Sequence, residues 1–398
     1  MPICEYNANS VDFNDMNSYN NQIQKAIKRL ELAKKRNEKI AILGDYDADG
    51  IAGTLIIYEA LLGLGFKNFL ISLSGRRRIY DQNKKEMEKF AKEGVSLIIF
   101  VDFGVSAIKE IKFVRKKGID VIVLDHHTPS KVLPPGIIVN FPNGRKAAAG
   151  VVFELVKTFY RRQKKLEKET ENFLDLAAIA IVADKINLTE SNKKIISEGV
   201  KKINQGHRAA LRVLARKINL KKLTPNNFEK LVDRINFPKG INEENNLFKL
   251  MSVKINKKEI VGVVNDVEKH YQKTQKIIEQ IFKENIGKLS AELPAPKIIF
   301  VENKINWPQP GINGLVANEL GKKFNRPVFV YNRLADKIKA SGRASEGFNL
   351  VKALRSCPAE WFYNFGGHPQ AVGFNIPLEN LTKIKERLKN YYKSGKHK

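Results

Sequence analysis

The chain has 398 residues, a length that suits two or three domains and excludes a minimal module. Hydrophobic residues are 43% and charged residues 28%, so a folded core is feasible and wholesale disorder is excluded; Lys+Arg at 70 against Asp+Glu at 42 gives a net charge of +28, which calls for a polyanionic partner, nucleic acid before an acidic membrane surface. The joint abundance of Lys, Asn and Ile is also what AT-rich coding produces, so part of that charge is compositional. Two cysteines, Cys4 and Cys357, exclude a disulfide framework and a Cys-based zinc site; with no signal peptide visible and no apolar run long enough to cross a bilayer, a cytoplasmic protein without a membrane partner is expected.

The first half alternates strand and helix patterns. Lys39 to Leu43 is a short apolar run, followed by a helical pattern from about Ala52 to Leu64. Leu97 to Val101 is a second run, with a helix to about Lys117; Val121 to Leu124 is a third, and Ile137 to Asn140 a fourth, with a helix from about Ala149. Continuous rather than alternating apolar strands separated by helices predict a parallel sheet covered on both faces. Phe173 to Leu220 is helical in pattern, Pro225 to Asn246 is polar and loop-rich, and Glu259 to Asn285 reads as one long polar helix. From about Lys288 an apolar run (Ile298 to Val301), a helix (Leu315 to Phe324), a strand (Pro327 to Tyr331) and a Gly-rich stretch predict a second, smaller α/β domain. The expected division is 1–220 for the first domain, 221–287 for a helical connector, 288–392 for the second domain and 393–398 for a basic tail.

Acidic residues stand at the ends of three of these strands. Gly44-Asp45-Tyr46-Asp47-Ala48-Asp49-Gly50 follows the first. An EF-hand is excluded, because its twelfth position is Ile56 rather than Glu and a strand precedes it. Val101 runs into Asp102-Phe103-Gly104, and Leu124 runs into Asp125-His126-His127. A fourth acid, Asp184, closes the helical run from Asp175. In a parallel sheet the three strand-end groups meet at one edge, where open α/β sheets place ligands. Taken singly, an Asp after a strand is usually a turn or N-cap residue; four at the ends of apolar runs point to a shared metal site. Oxygen ligands with an imidazole suit Mn²⁺, Mg²⁺ or Fe²⁺, and carboxylates from several elements suit two ions about 3.5–4 Å apart, an arrangement used for phosphoryl displacement.

The ordered set Asp45-Tyr46-Asp47-Ala48-Asp49-Gly50, Val101-Asp102-Phe103-Gly104, Asp125-His126-His127 and Ala183-Asp184 resembles the four motifs of the DHH phosphoesterase superfamily. Ser341-Gly342-Arg343-Ala344-Ser345 and Phe365-Gly366-Gly367-His368 resemble the DHH-associated DHHA1 domain, and Leu176 to Gln205, Gly311 to Val330 and Glu346 to Phe374 resemble the RecJ exonucleases. The resemblance implies a Mn²⁺- or Mg²⁺-dependent 5′→3′ exonuclease on single-stranded DNA, serving DNA repair and recombination, with two ions. It implies that Asp47, Asp49, Asp102, His126 and Asp184 ligate metal, with Asp102 as the bridge. Asp125 is then a ligand or orients the imidazole, and His127 faces the scissile phosphate. Ser341, Arg343 and the Gly366-Gly367-His368 turn are expected to hold substrate phosphates: glycines let backbone N–H groups approach an anion, and Arg offers a bidentate fork.

Three departures qualify the resemblance. Several superfamily members have His four residues before the first Asp of the Asp-x-Asp core; here that position is Leu43, so Asp45 is expected to serve a metal instead. RecJ enzymes carry an Arg beyond the first motif, for which Arg76 is the nearest match beside Arg77 and Arg78. Bacterial RecJ proteins usually continue into an OB-fold after Gly-Gly-His, whereas this sequence ends soon after. Binding is therefore expected in an inter-domain cleft, or with a single-strand-binding protein or helicase as partner. Lys157 to Lys168 and Arg208 to Lys222 are candidate backbone-contact surfaces, with Tyr160, Tyr331 and Phe348 as candidate base stackers; each segment also reads as a solvated helix face. Trp307 and Trp361 are expected to anchor the core or a loop, and His207 and His270 to lie on the surface. The alternatives are an oligoribonuclease or cyclic-dinucleotide phosphodiesterase of the same superfamily, and a non-catalytic scaffold, which the intact acidic motifs oppose.

Overall fold

The computed structural model describes residues 16–73, 80–129, 132–141, 144–237, 243–291, 297–304, 311–344 and 347–395. In chain order the elements are α1 (Met16–Lys35), β1 (Lys39–Gly44), α2 (Ala48–Gly63), β2 (Phe69–Leu73), α3 (Tyr80–Lys92), β3 (Val95–Val101), α4 (Ile108–Lys116), β4 (Asp120–Asp125), β5 (Ile137–Asn140), α5 (Ala148–Arg162), α6 (Glu167–Thr170), α7 (Leu174–Ala183), α8 (Glu190–Asn204), α9 (Ala209–Lys217), α10 (Phe228–Ile235), α11 (Glu243–Met251) and α12 (Ile260–Ala291). There follow β6 (Ile299–Glu302), α13 (Ile312–Phe324), β7 (Val328–Leu334), β8 (Lys337–Arg343), α14 (Leu350–Arg355), β9 (Asn364–His368), β10 (Ala371–Pro377) and α15 (Leu381–Lys393). The chain divides into two compact units, Met1–Asn236 with Asn242–Glu268 and Phe237–Ile241 with Lys269–Lys398.

The sheet of the first unit is wholly parallel, in the order β2-β1-β3-β4-β5. Its strands are apolar at successive positions because both faces are covered. Ala41, Leu43, Ile98, Phe100, Val121 and Val123 pack against Met87 and Phe90 of α3 and Ile111 and Val114 of α4. The intervening residues Ile40, Ile42, Leu97, Ile99, Ile122 and Leu124 are equally buried on the face that carries α2 and α5. The strand order reverses between β1 and β3, so the crevice beyond their carboxyl ends is the topological switch point. The fold class is thus the expected one: a parallel α/β unit, a helical region and a smaller second α/β unit.

Several details differ from the sequence reading. Helices α1 and α3 and strand β2 gave no clear pattern. The segment read as loop-rich from Pro225 holds α10, whose Phe228, Leu231, Val232 and Ile235 are buried, and residues 221–268 belong to the first unit apart from 237–241. Tyr160 is 4% exposed and donates its hydroxyl to Ala60 O; Tyr331 and Phe348 are buried in the second unit. None of the three is a surface stacker. Arg208, expected on a basic surface, is fully buried: it meets Glu59 at 2.9 Å and Asp175 at 3.0 Å and also donates to Met251 O. His207 shares Asp175 at 2.9 Å, and His270 packs on the Phe237 ring. Trp361 packs against the second unit's core as expected, and Trp307 lies outside the described residues. Among the described residues no helix is long and apolar enough to cross a membrane.

The sheet of the second unit has the order β6-β7-β8-β10-β9, with β6 and β7 parallel and the rest antiparallel. One face is buried throughout: Phe329, Tyr331, Ile338, Ala340, Val372, Phe374 and Ile376 pack with α14 and α15. The other is covered by α12 and α13 over β6 and β7, through Ile278, Ile281, Ile312, Val316 and Leu320, and α13 also reaches the Arg343 end of β8. Beyond β7 its side chains are exposed or half-buried, as the alternating pattern of β8 and β10 requires.

Candidate metal centre and substrate face

A staircase of backbone hydrogen bonds sets the acidic residues side by side. Asp45 N–H donates to Val101 O at 3.1 Å, Asp102 N–H to Leu124 O at 2.9 Å, and Phe141 N–H to Asp125 O at 3.2 Å. Each residue past a strand end is therefore pinned to the end of a neighbouring strand. Asp102 adopts φ +65°, a left-handed conformation that Asp tolerates better than most side chains and that recurs where strain serves a site. Asp47 caps α2 by accepting the Gly50 N–H at 3.0 Å. Gly50 has no room for a side chain, because a Cβ would stand 2.5 Å from Asp45 O. Asp184 ends α7.

Three overlapping groups result: Asp45, Asp47 and Asp102; Asp102, His126 and His127; and Asp49, His126 and Asp184, with the ligand atoms of each group within 4.8 Å of one another. His126 is the hub. Its Nε2 lies 3.3 Å from Asp102 Oδ1, 3.3 Å from Asp184 Oδ2 and 3.8 Å from Asp49 Oδ2. Its Nδ1 lies 3.1 Å from Lys146 O, and since a carbonyl only accepts, Nδ1 carries the proton. Nε2 then faces three carboxylates and is the ring atom that would offer a lone pair to a cation seated among them. Ligands about 2.1 Å from an octahedral ion lie about 3 Å from one another, close to the spacing found. The donor set of carboxylate oxygens and one imidazole fits a hard divalent cation such as Mn²⁺ or Mg²⁺.

Asp49 is fully buried, and both its oxygens accept N–H groups at the start of α5, from Ala148 and Ala149 at 2.7 Å each. Burial, and then the charge of Asp47, raise its pKa to about 7 against the pull of those two N–H groups and of His127. Asp125 behaves oppositely. Burial opposes its ionisation, but His127, His126 and the Val105 N–H outweigh it and hold its pKa below the ordinary value. Asp125 Oδ1 takes His127 Nδ1 at 2.7 Å and the N–H groups of His126 and His127, and Oδ2 takes Val105 N–H. The imidazole that Asp125 orients is therefore that of His127, while Lys146 O orients His126.

In the second unit, register places the expected substrate residues on one face. Arg343 pairs with Ala371, which pairs with His368; Ser341 pairs with Gly373, which pairs with Gly366. These two rows lie on the half-open face. A Cβ at Gly366 would meet nothing within 4 Å and one at Gly373 nothing nearer than 3.9 Å, so neither packing nor turn geometry demands these glycines; glycine within a strand often marks the close approach of a ligand. Gly367 is demanded locally, with φ +134° and Ala371 O in the way of a Cβ. Arg343 donates to Gly342 O, and burial lowers its pKa. Its guanidinium packs on α13, where a Cβ at Gly314 would stand 2.6 Å from Nη2. Among the described residues no carboxylate pairs with it. Arg76 lies outside the described residues.

Residues 39–181 match the DHH family, N-terminal domain, and residues 297–394 match the DHHA1 domain. The chain is 29% identical over 389 residues to the single-stranded-DNA-specific exonuclease RecJ of Bacillus subtilis, covering 92% of this chain and 47% of that protein. This chain is RecJ-like, with a DHH domain followed by a DHHA1 domain. The single-stranded-DNA-specific exonuclease RecJ of Thermus thermophilus is 27% identical over 376 residues, covering 93% of this chain and 54% of that one. Two solved structures share the fold. RecJ from Thermus thermophilus in complex with Mn²⁺ has a TM-score of 0.78 at 25% identity, over 93% of this chain and 54% of that one. An exonuclease RecJ bound to manganese has a TM-score of 0.74 at 26% identity, over 93% and 94%. The RecJ-like chain spans about half the length of the B. subtilis and T. thermophilus proteins.

Some supporting residues carried no signal in the sequence. Lys146, Ala148 and Ala149 act through the backbone, which any residue supplies. Asn236 accepts from Ala48 N–H at 3.5 Å and donates to Ala183 O at 3.0 Å, tying the start of α2 to the end of α7. Asn140, at the end of β5, donates to His127 O at 3.0 Å. Only an Asn at the end of a strand hinted at that role.

Proposed function

We propose that this chain is a metal-dependent phosphodiesterase, a RecJ-like exonuclease that releases mononucleotides from the 5′ end of single-stranded DNA in DNA repair and recombination. The observation that carries the reading is His126 Nε2 set among Asp49, Asp102 and Asp184 at the switch point, with Asp45 and Asp47 adjoining through Asp102. The relatives' association with Mn²⁺ supports manganese or magnesium as the cofactor, in two ions, with Asp45, Asp47, Asp49, Asp102, His126 and Asp184 as the residues that would hold them. When bound, such ions supply a nucleophilic water at neutral pH and charge to offset that building on the phosphoryl oxygens. His127, its Nδ1 held by Asp125, would exchange a proton or hydrogen-bond at the scissile phosphate through its other nitrogen. Arg343, without a carboxylate partner among the described residues, and the Ser341–Gly373–Gly366 row offer a cation and a backbone floor for the strand's phosphates; Arg76 and His368 complete the proposed substrate set. A single-strand-binding protein or helicase is the proposed partner.

The test is binding by an Asp102→Ala protein to oligonucleotides of increasing length at two salt concentrations. A strand-tracking exonuclease gains affinity with length and shows a log K against log[salt] slope of about −0.7 per phosphate neutralised. Affinity that levels off at two nucleotides, with a shallow slope, would instead identify a dinucleotide phosphodiesterase.

A further inference from the structure

The metal centre leans on one short turn of backbone. Lys146 O receives the His126 Nδ1 proton, and two and three residues later the N–H groups of Ala148 and Ala149 hold Asp49. Residues 146–149 therefore set the orientation of two side chains that face the cation. What fixes that turn lies outside the centre. Lys146 Nζ pairs with Glu154 Oε1 on α5 and sits 4.9 Å above the Phe141 ring. The other oxygen of Glu154 accepts the Tyr19 hydroxyl at 2.9 Å, and the Tyr19 ring meets Phe141 edge-on at 5.1 Å.

Tyr19 is 3% exposed and belongs to α1, which precedes the segment matched by the DHH family. A buried phenol costs free energy unless its hydroxyl is bonded, and Phe would fill the same space without that demand. The Lys146–Glu154 pair is partly exposed on both sides, and such pairs contribute little to stability. Fold stability alone is thus a weak reason for this chain of contacts. Its continuity is a better one: it runs without a break from α1 to the carbonyl that holds the His126 ring at Nδ1.

We propose that Tyr19, Glu154 and Lys146 are positioning residues that hold the 146–149 turn, and through it keep His126 Nε2 directed at the metal. The inference rests on the metal-centre reading above.

The test uses the full chain with Glu154→Gln and Tyr19→Phe, which keep size and remove one contact each. Mn²⁺ affinity is measured by calorimetry at pH 8, the His126 ring nitrogens of the metal-free protein are followed by nitrogen-15 NMR, and the melting temperature is taken in EDTA. Glu154→Gln is expected to raise the Mn²⁺ dissociation constant about tenfold, the lower end of what outer-shell changes cost a metal site. Tyr19→Phe should raise it less, and the double variant should be no worse than Glu154→Gln, because both act on one turn. The variants' His126 Nδ1 resonance should shift as its bond to Lys146 O loosens, while melting stays within a few degrees of wild type. If Glu154→Gln fails to fold, Lys146→Met carries the same test from the other side of the pair. Variants that bind Mn²⁺ as tightly as wild type, whatever their melting temperature, overturn this inference alone; a wild-type protein that binds no Mn²⁺ overturns the metal-centre reading with it.

Discussion

Replacing Asp102 by Asn should make the metal-free protein more stable and the metal-loaded protein less so. Asn tolerates the left-handed backbone at this position (φ +65°), so the loop keeps its path. Asp102 shares a cluster with Asp45 and Asp47 whose oxygens lie within 4.8 Å of one another. Two carboxylates at 4.8 Å repel by about 3.5 kcal/mol at an effective dielectric of 20. Asp47 is half-exposed and solvent screens part of the repulsion, so about 1–2 kcal/mol remains to be recovered. For a unit of this size that is roughly 2–8 °C in Tm. At 100 times its Kd, Mn²⁺ should stabilise wild type by about 2.7 kcal/mol, or roughly 5–11 °C, and the variant far less. Scanning calorimetry at pH 8 in EDTA and in Mn²⁺ should therefore show the two proteins exchange rank. An Asn variant that melts below wild type in EDTA would remove the repulsion argument, and equal gains from Mn²⁺ would remove Asp102 from the ligand set.

Arg343→Ala should weaken single-strand binding by roughly 1.5–3 kcal/mol, or 10- to 150-fold, while Mn²⁺ stoichiometry holds; collapse of metal binding would contradict the separate roles. Gly314→Ala should reproduce that loss by pushing the guanidinium aside, although Ala in a helix adds about 1 kcal/mol of stability; unchanged binding would show that Arg343 is not held for substrate. Asp49, with its pKa raised to about 7, carries a proton in the metal-free protein at pH 6 and must lose it to face a cation. Calorimetric titration with Mn²⁺ in two buffers should thus detect proton release at pH 6 that fades by pH 8.5, with affinity rising up to about pH 7; no release at pH 6 would contradict the assignment. Arg208→Met should cost about 3–5 kcal/mol in urea unfolding, because it leaves Asp175 and Glu59 buried without their cation; a cost under about 1 kcal/mol would show the network to be dispensable.

The parallel sheet and its acidic rim were legible because the same residues serve two purposes. Strands buried on both faces read as unbroken apolar runs, and an Asp directly after such a run stands out against it. Asp102, Asp125 and His126 could be placed from that contrast alone. The positively charged residues were harder, since Arg on a solvated helix and Arg in a buried network look alike: Arg208 was indistinguishable from Arg212 until Asp175 and Glu59 were seen around it. Aromatic residues misled for a similar reason, because Tyr160 and Tyr331 fill core positions with a hydroxyl that finds a local partner. Contacts made by backbone atoms, such as Lys146 O and the Ala148 and Ala149 N–H groups, leave no mark on residue type. Asn236 stayed hidden because its two partners are brought together only by the fold.

The most direct test of the central claim follows the products of single-stranded DNA labelled separately at each end, incubated with the full chain and Mn²⁺. Label at the 5′ end should appear at once as mononucleotide, while 3′ label remains in a ladder of shortening strands; EDTA should stop both, and duplex DNA of the same sequence should be cut poorly. Mononucleotide appearing first from the 3′ end, cleavage confined to dinucleotides, or undiminished hydrolysis in EDTA would each contradict the account.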